Sequence, residues 1–296
     1  MIPPWKQIIE DLFEQFLEFF FPKIHADIDF FRGYEIISKE LFRLLKDQNI
    51  GKRYTDELIK VYLRDGTEKW LLIHIEVQNY KEKEFAKRMY VYNYRIFDKY
   101  DHEVVSLVIL TDPDISYRPD TYKHERWDFK HIMKFPIVKI IDFKTRIAEL
   151  EKITHPMAIL VLAQLRHLEL KKKKPTEKYD IKITLMRMLY RKGFTKEKVA
   201  KVFNFVDWII SLPQNPEDKL TIEVKKLEEE AKMTYVTHFE RIAEKRGKKE
   251  GKKEGKKEAA VKMLEKGFSI KDIMEITGLS EKEIMALKEK KVKQSK

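Results

Sequence analysis

The sequence predicts an α/β fold: a mixed sheet flanked by helices, followed by an all-α C-terminal region. Three observations carry this. Residues 57–64 and 69–78 are two strand-like runs on either side of Asp65-Gly66, a hairpin signal. A helical pattern at 82–100 falls between the second run and the apolar stretch VVSLVILT at 104–111, as when helices pack on a mixed sheet. From residue 145 onward no segment reads as a strand, whereas 157–170, 180–192, 195–211 and 217–246 carry helical spacing.

The elements follow in order. Trp5, Ile8, Ile9, Leu12, Phe13, Phe16, Leu17 and Phe20 recur at helical spacing, so residues 5–21 read as one amphipathic helix ended by Pro22. Residues 34–46 read as a second helix. In 57–64, Glu57, Ile59, Val61 and Leu63 alternate with Leu58, Lys60, Tyr62 and Arg64, and 137–142 (IVKIID) reads as a further strand. Pro213 and Pro216 interrupt the helical series. The repeat GKKEGKKEGKKE at 247–258 favours helix through Lys and Glu, but each Gly costs about 1 kcal/mol relative to Ala, so it reads as a connector. Beyond it come three short helices with turns at Gly267 and Gly278. That spacing suits reading a major groove or a small packing module. The expected division is therefore a core at 1–150, a helical region at 151–246, the connector at 247–258 and a helix-turn-helix-like tail at 259–296.

Composition narrows the class. With 43% hydrophobic residues in 296, the chain can bury a core, which excludes wholesale disorder. There is no cysteine, so disulfides, thiolate zinc sites and thiol nucleophiles are excluded. The apolar N-terminal patches are interrupted by Lys6, Glu10, Asp11, Glu14 and Glu18, and no run of about 20 apolar residues occurs. A cytoplasmic protein with no membrane partner is the expectation. The net charge of +12 is uneven: residues 241–296 hold 18 basic and 10 acidic residues. Such a tail suits a polyanion such as DNA, or simply a solvated Lys/Glu helix.

The hairpin register points to chemistry. If paired positions sum to 132, Ile59 faces Ile73 and Val61 faces Leu71, which makes one coherent apolar face. The same register sets Asp56 opposite Glu76, with Gln78 two residues on and on the same face. Opposed side chains stand about 4.5–5.5 Å apart at Cβ, close enough for two carboxylates to share a divalent cation. Open oxygen-ligand sites suit Mg2+, which keeps several waters and takes phosphate oxygens.

Asp56 before one strand, then hydrophobic-Glu-x-Gln at the end of the next (IHIEVQ, 73–78), resembles the PD-(D/E)XK nuclease superfamily. More closely, the chain is similar to the recombination-promoting nuclease (Rpn) family, often described as transposases. The resemblance is carried by YTDELIKV (54–61), LLIHIEVQNY (71–80), FAKRMYVYNYRIF (85–97), FVDWIISLP (205–213), MTYVTHFERIAEKRG (233–247) and the Gly-Lys-Glu repeat. It implies a restriction-endonuclease-like core and a magnesium-dependent DNA endonuclease tied to recombination or mobile elements. It also implies Asp56, Glu76 and Val77 as the metal set and Asp56, Glu76 and Gln78 as the catalytic set.

Gln78 stands where the superfamily has lysine, and a neutral amide cannot supply that charge. Lys60 is on the same face but about 13 Å along the strand. Lys87 or Arg88 on the following helix could serve instead, and Lys60, Lys87 and Arg88 are the candidate nucleic-acid contacts. For Arg88 and Tyr92, one turn apart, phosphate contact and helix-to-sheet packing weigh equally. His74 reads as a packed strand histidine, and Glu35 and Glu40 as solvated residues of the preceding helix or further ligands. Two other classes remain: an inactive nuclease-fold DNA-binding or assembly protein, and an RNA-directed nuclease. A double-strand cut needs two active sites, which points to a homodimer with 217–262 as a candidate coiled-coil segment.

Overall fold

The computed structural model describes residues 4–38, 57–65, 70–170, 175–212, 214–230, 259–264, 268–278 and 284–285. Asp56, Glu40, most of the expected 34–46 helix, residues 231–246, the 247–258 connector and Gly267 lie outside them. The chain divides into two compact units, Met1–Met233 and Thr234–Lys296.

The first unit is built on a five-stranded sheet in the order β1-β2-β3-β4-β7. Its strands are β1 (Tyr34–Ile36), β2 (Glu57–Tyr62), β3 (Trp70–Gln78), β4 (Val104–Leu110) and β7 (Ile137–Lys139). The first three pair antiparallel; β3, β4 and β7 run parallel. The sheet is thus mixed, and the reason is the helix α4 (Phe85–Tyr100), which returns the chain to the start of the neighbouring strand. β5 (Thr121–Arg126) and β6 (Phe129–Lys134) form a separate antiparallel ribbon between β4 and β7.

The β2–β3 register is the one summing to 132: Glu57 opposes Ile75, Ile59 opposes Ile73 and Val61 opposes Leu71. Even-numbered residues therefore share one face. Leu58 and Leu72 on that face pack with Ile96 of α4, so α4 covers it. On the other face Glu57 is buried and bonded to Lys6 of α1 (Pro4–Asp11) and to Ser38. Burial raises the Glu57 carboxyl above its usual range, against the opposing pull of Lys6 and Ser38.

Three expectations change. Residues 5–21 are not one helix: α1 gives way at Leu12 to α2 (Phe13–Phe20), and Pro22 opens α3 (Pro22–Asp27) at its first position, where its missing N–H costs nothing. Tyr34–Ile36 is the edge strand β1 rather than the start of a helix, because Lys60 and Val61 of β2 offer it a partner. The expected strand at 137–142 shortens to β7 and continues as a 3-10 turn over Ile140–Arg146.

Helices follow: α5 (Ile147–Lys152), α6 (Pro156–Glu169), α7 (Pro175–Arg191), α8 (Lys196–Ile209) and α9 (Gln214–Glu230). Among the described residues no strand follows β7. α6 is buried all round from Pro156 to Leu165, the pattern of a helix at the centre of a core. Trp5 joins α1 to this layer, its indole donating to Gln164 at 3.1 Å and lying 5.1 Å edge-on from Phe205. Lys182 and Asp207 form a buried ion pair at 2.7 Å between α7 and α8. No helix of the described residues is long and apolar enough to cross a membrane.

The second unit is helical where described. Residues 259–264 and α10 (Ile270–Thr277) pack Ala260, Ile273 and Ile284 into a small core. Ser269 caps α10 by accepting from the Asp272 amide at 3.2 Å, and Gly278 ends it at φ 65°, where a side chain would be strained.

Candidate active site

Strand β3 and helix α4 bring the site together. On α4 the buried stripe is Phe85, Arg88, Met89, Tyr92 and Ile96, the spacing of a face laid on a sheet. Arg88 is the one cation in that stripe, and it lies over the even face of β3 where His74, Glu76 and Gln78 project. All three β3 side chains are buried.

The Arg88 guanidinium is the hub. It donates to Glu76 Oε1 at 3.0 Å, Gln78 Oε1 at 3.1 Å and Glu82 Oε2 at 3.1 Å. It lies 4.9 Å from the Phe85 ring and 5.5 Å from the Tyr92 ring, packing that suits a weakly hydrated planar cation. Burial works against its charge, but Glu76 and then Glu82 outweigh that and hold its pKa above the ordinary value. The Gln78 amide donates to the Tyr80 carbonyl at 2.9 Å and to Glu82 at 3.2 Å. Both its N–H donors and one oxygen lone pair are thus engaged, and among the described residues no second donor is recorded on Oε1. His74 is pushed down to about 3, by burial first and the Arg88 charge second, so it is neutral at ordinary pH. Its ring meets Tyr92 edge-on at 5.7 Å, the packed histidine expected from sequence.

The network continues along the carboxyl ends of the parallel strands. Tyr117 donates to the Glu82 carbonyl at 3.1 Å and accepts from its amide at 3.2 Å. Buried Lys139 donates to both Asp112 oxygens, at 2.8 and 2.7 Å, and to the Tyr117 carbonyl at 3.1 Å. Clefts at the carboxyl ends of parallel strands are where open α/β sheets bind ligands.

The sequence candidates thus separate. Glu76, Gln78 and Arg88 are in contact. Val77 is on the same strand with its side chain on the opposite sheet face, opposed to Ile109 of β4, so any ligation would use main-chain oxygen. Asp56 lies outside the described residues; the β2 register is observed up to Glu57, opposite Ile75. Lys60 is 3.4 Å from Glu35, which sits on β1 rather than on a helix. Lys87 is exposed, 3.9 Å from Glu84. Glu82, Tyr117, Asp112 and Lys139 went unread. A lysine inside the apolar IVKIID was the available sign, since a charge in a buried strand requires a partner.

The donor chemistry can be set against a divalent cation. Glu76 and the main-chain carbonyls at the end of β3 are hard oxygen donors of the kind magnesium takes. Among the described residues no three or more His, Asp or Glu side chains are gathered to hold a metal, and Arg88 already engages Glu76. Glu76 suits one ligand position, and further side-chain donors must come from beyond that set.

The second unit decides the relationship. Residues 253–289 match the family model for the Rpn/YhgA-like nuclease family, C-terminal HTH domain. The match covers 37 of the 296 residues, so the likeness to that nuclease family is one of this C-terminal segment. The Rpn/YhgA-like match spans the described helix at 259–264, capped α10 and its Gly278 terminus, whose apolar side chains make the core noted above. Helix-turn-helix domains of this sort are DNA-binding modules. No curated protein and no solved structure is significantly similar to the chain.

Proposed function

We propose that the chain is a magnesium-dependent DNA endonuclease linked to recombination or mobile elements, with its chemistry at the carboxyl end of β3. The carrying observation is the convergence of Glu76, Gln78 and Arg88 in one buried hydrogen-bonded set, in a chain whose residues 253–289 match the C-terminal HTH domain of a nuclease family. Asp56, Glu76 and the Val77 carbonyl would hold the cation. The bound cation would lower the pKa of a coordinated water and offset charge on the scissile phosphate.

The chain's own groups then have separate tasks. Arg88 fixes the Glu76 and Gln78 side chains and supplies the positive charge that a neutral amide at 78 lacks. The remaining Gln78 Oε1 lone pair can accept a hydrogen from an attacking water and orient it, while its donors are held by Tyr80 and Glu82. The second unit would hold DNA through its phosphates, and exposed Lys87 is a candidate phosphate contact on the first unit.

Supercoiled plasmid incubated with magnesium tests this: nicked or linear product is expected, lost with EDTA and in Glu76→Ala. A second reading, a nuclease-fold DNA-binding or assembly protein without chemistry, is favoured by the Arg88–Glu76 ion pair, which already engages the proposed ligand. Duplex binding without magnesium-dependent cleavage would establish that reading. Cleavage of RNA but not plasmid would move the substrate to RNA.

A further inference from the structure

The β5–β6 ribbon takes no part in the network at Glu76, yet its side chains are sorted. Its register places Tyr122, His124, Arg126, Phe129, His131 and Met133 on one face. Near the base this face is covered: Tyr122 stacks on Tyr90 of α4 at 4.6 Å and 10°, His131 lies 4.7 Å from Tyr90, and Met133 packs with Phe85 and Tyr117. Toward the tip nothing among the described residues covers it. Phe129 is 61% exposed, edge-on to His124 at 5.9 Å, and Trp127 is 88% exposed.

Trp127 is the anomaly. It has a φ of 52°, a left-handed conformation that turns normally assign to Gly, Asn or Asp, and which costs of order 1–3 kcal/mol for other residues. Neither burial nor turn geometry calls for a tryptophan there. The Arg126 guanidinium lies 4.9 Å over its ring, so the tip presents a cation and an indole together. The opposite face carries Lys123, Lys130 and Lys134 with one carboxylate, Glu125, and Lys130 makes no ion pair among the described residues.

We propose that this ribbon is a nucleic-acid-binding arm that grips a single-stranded or unpaired DNA tract, with the Trp127 ring stacked on a base. The proposal rests on the DNA reading above. The chemistry is matched on both counts: lysines along one face meet phosphates, and an exposed indole beside an arginine offers a base the π-face it lacks when unpaired. A paired duplex buries its base faces, so an unpaired tract is the better occupant.

The test measures affinity of the full chain for a labelled oligothymidine and for a blunt duplex of equal length. Trp127→Gly suits the observed φ, so its melting temperature should be at least that of the wild type. It should weaken oligothymidine binding roughly 5- to 150-fold, the equivalent of about 1–3 kcal/mol per stacked base. Trp127→Tyr should retain most of the affinity, and the duplex should be less affected by either. Lys123→Gln with Lys130→Gln should lower the log–log salt slope by about 1.4. Unchanged oligothymidine affinity in Trp127→Gly, with plasmid cleavage by the wild type intact, overturns the arm alone. A wild type that binds neither probe overturns the arm and the DNA reading together. A wild-type dimer that Trp127→Gly converts to monomer would show that the tip docks a second copy instead.

Discussion

Replacing Arg88 by methionine removes the guanidinium that bridges fully buried Glu76 and partly buried Glu82. Methionine keeps much of the volume over Phe85 and Tyr92 but none of the three hydrogen bonds to Glu76, Gln78 and Glu82. Breaking a buried pair by removing one partner costs about 3–5 kcal/mol, because the remaining carboxylate is left uncompensated. For a unit of this size each kcal/mol shifts the melting temperature by about 2–4 °C, so a fall of roughly 6–20 °C is expected. Arg88→Lys should fall between, since an ammonium lacks the planar fork that reaches three acceptors. Glu76→Gln combined with Arg88→Met should recover much of the loss, because the fully buried carboxylate is then neutral and only partly buried Glu82 loses its cation. Thermal melts with and without magnesium add a functional arm. If Glu76 is a ligand, magnesium at about 100 times its dissociation constant should return about 2.7 kcal/mol to Arg88→Met. A melting temperature equal to that of the wild type would refute the claim that Arg88 compensates buried charge. A deficit that magnesium leaves untouched would remove Glu76 from the metal set.

Two further outcomes follow from local geometry. Arg88 lies 3.1 Å from Gln78 Oε1; Gln78→Lys loses that acceptor, worth about 1.5–3 kcal/mol, and should melt lower and, on the proposed function, cleave more slowly, with Arg88→Gln in the same chain restoring stability. His155 caps α6 by accepting from the Met157 amide at 3.1 Å, and burial, opposed by Glu18, lowers its pKa from 6.5. Its contribution is therefore present above pH 6.5 and lost as pH falls below it, by at most about 1.4 kcal/mol per pH unit; the gap between urea midpoints at pH 7 and 5 should narrow in His155→Ser, which keeps a capping oxygen, while the part due to buried His74 remains.

The sheet was legible where one side of a strand had to be apolar. Ile59, Val61, Leu71 and Ile73 allow only one register, and the structure has it. The mixed sheet was expected from the helix between β3 and β4, and these two strands pair in parallel. The ribbon at 121–134 was not legible, because YKHERWDFKHIMK is exposed on most of both faces and so has no apolar alternation to read. β1 was missed for another reason: residues 34–46 have helical spacing, but a three-residue edge strand is decided by its neighbour's free hydrogen bonds, which no local pattern records. The hairpin register placed Glu76 and Gln78 on one face, as observed. The partnership of Arg88 with Glu82 was not legible, because residues 76, 82 and 88 meet only once α4 is folded back onto β3.

That partnership also accounts for the glutamine. A lysine on the strand would carry its charge into this site from position 78, but here α4 delivers a guanidinium to the same place, 3.1 Å from Gln78 and 3.0 Å from Glu76. Two adjacent buried cations would repel, and each would lack an acceptor the other now uses. A neutral amide resolves the conflict because it does both jobs at once: its oxygen accepts from Arg88 while its nitrogen donates to Tyr80 and Glu82. The positive charge of this site comes from the helix, and the residue on the strand helps hold it in place. Residues 78 and 88 therefore form one unit, and neither should be exchanged without the other.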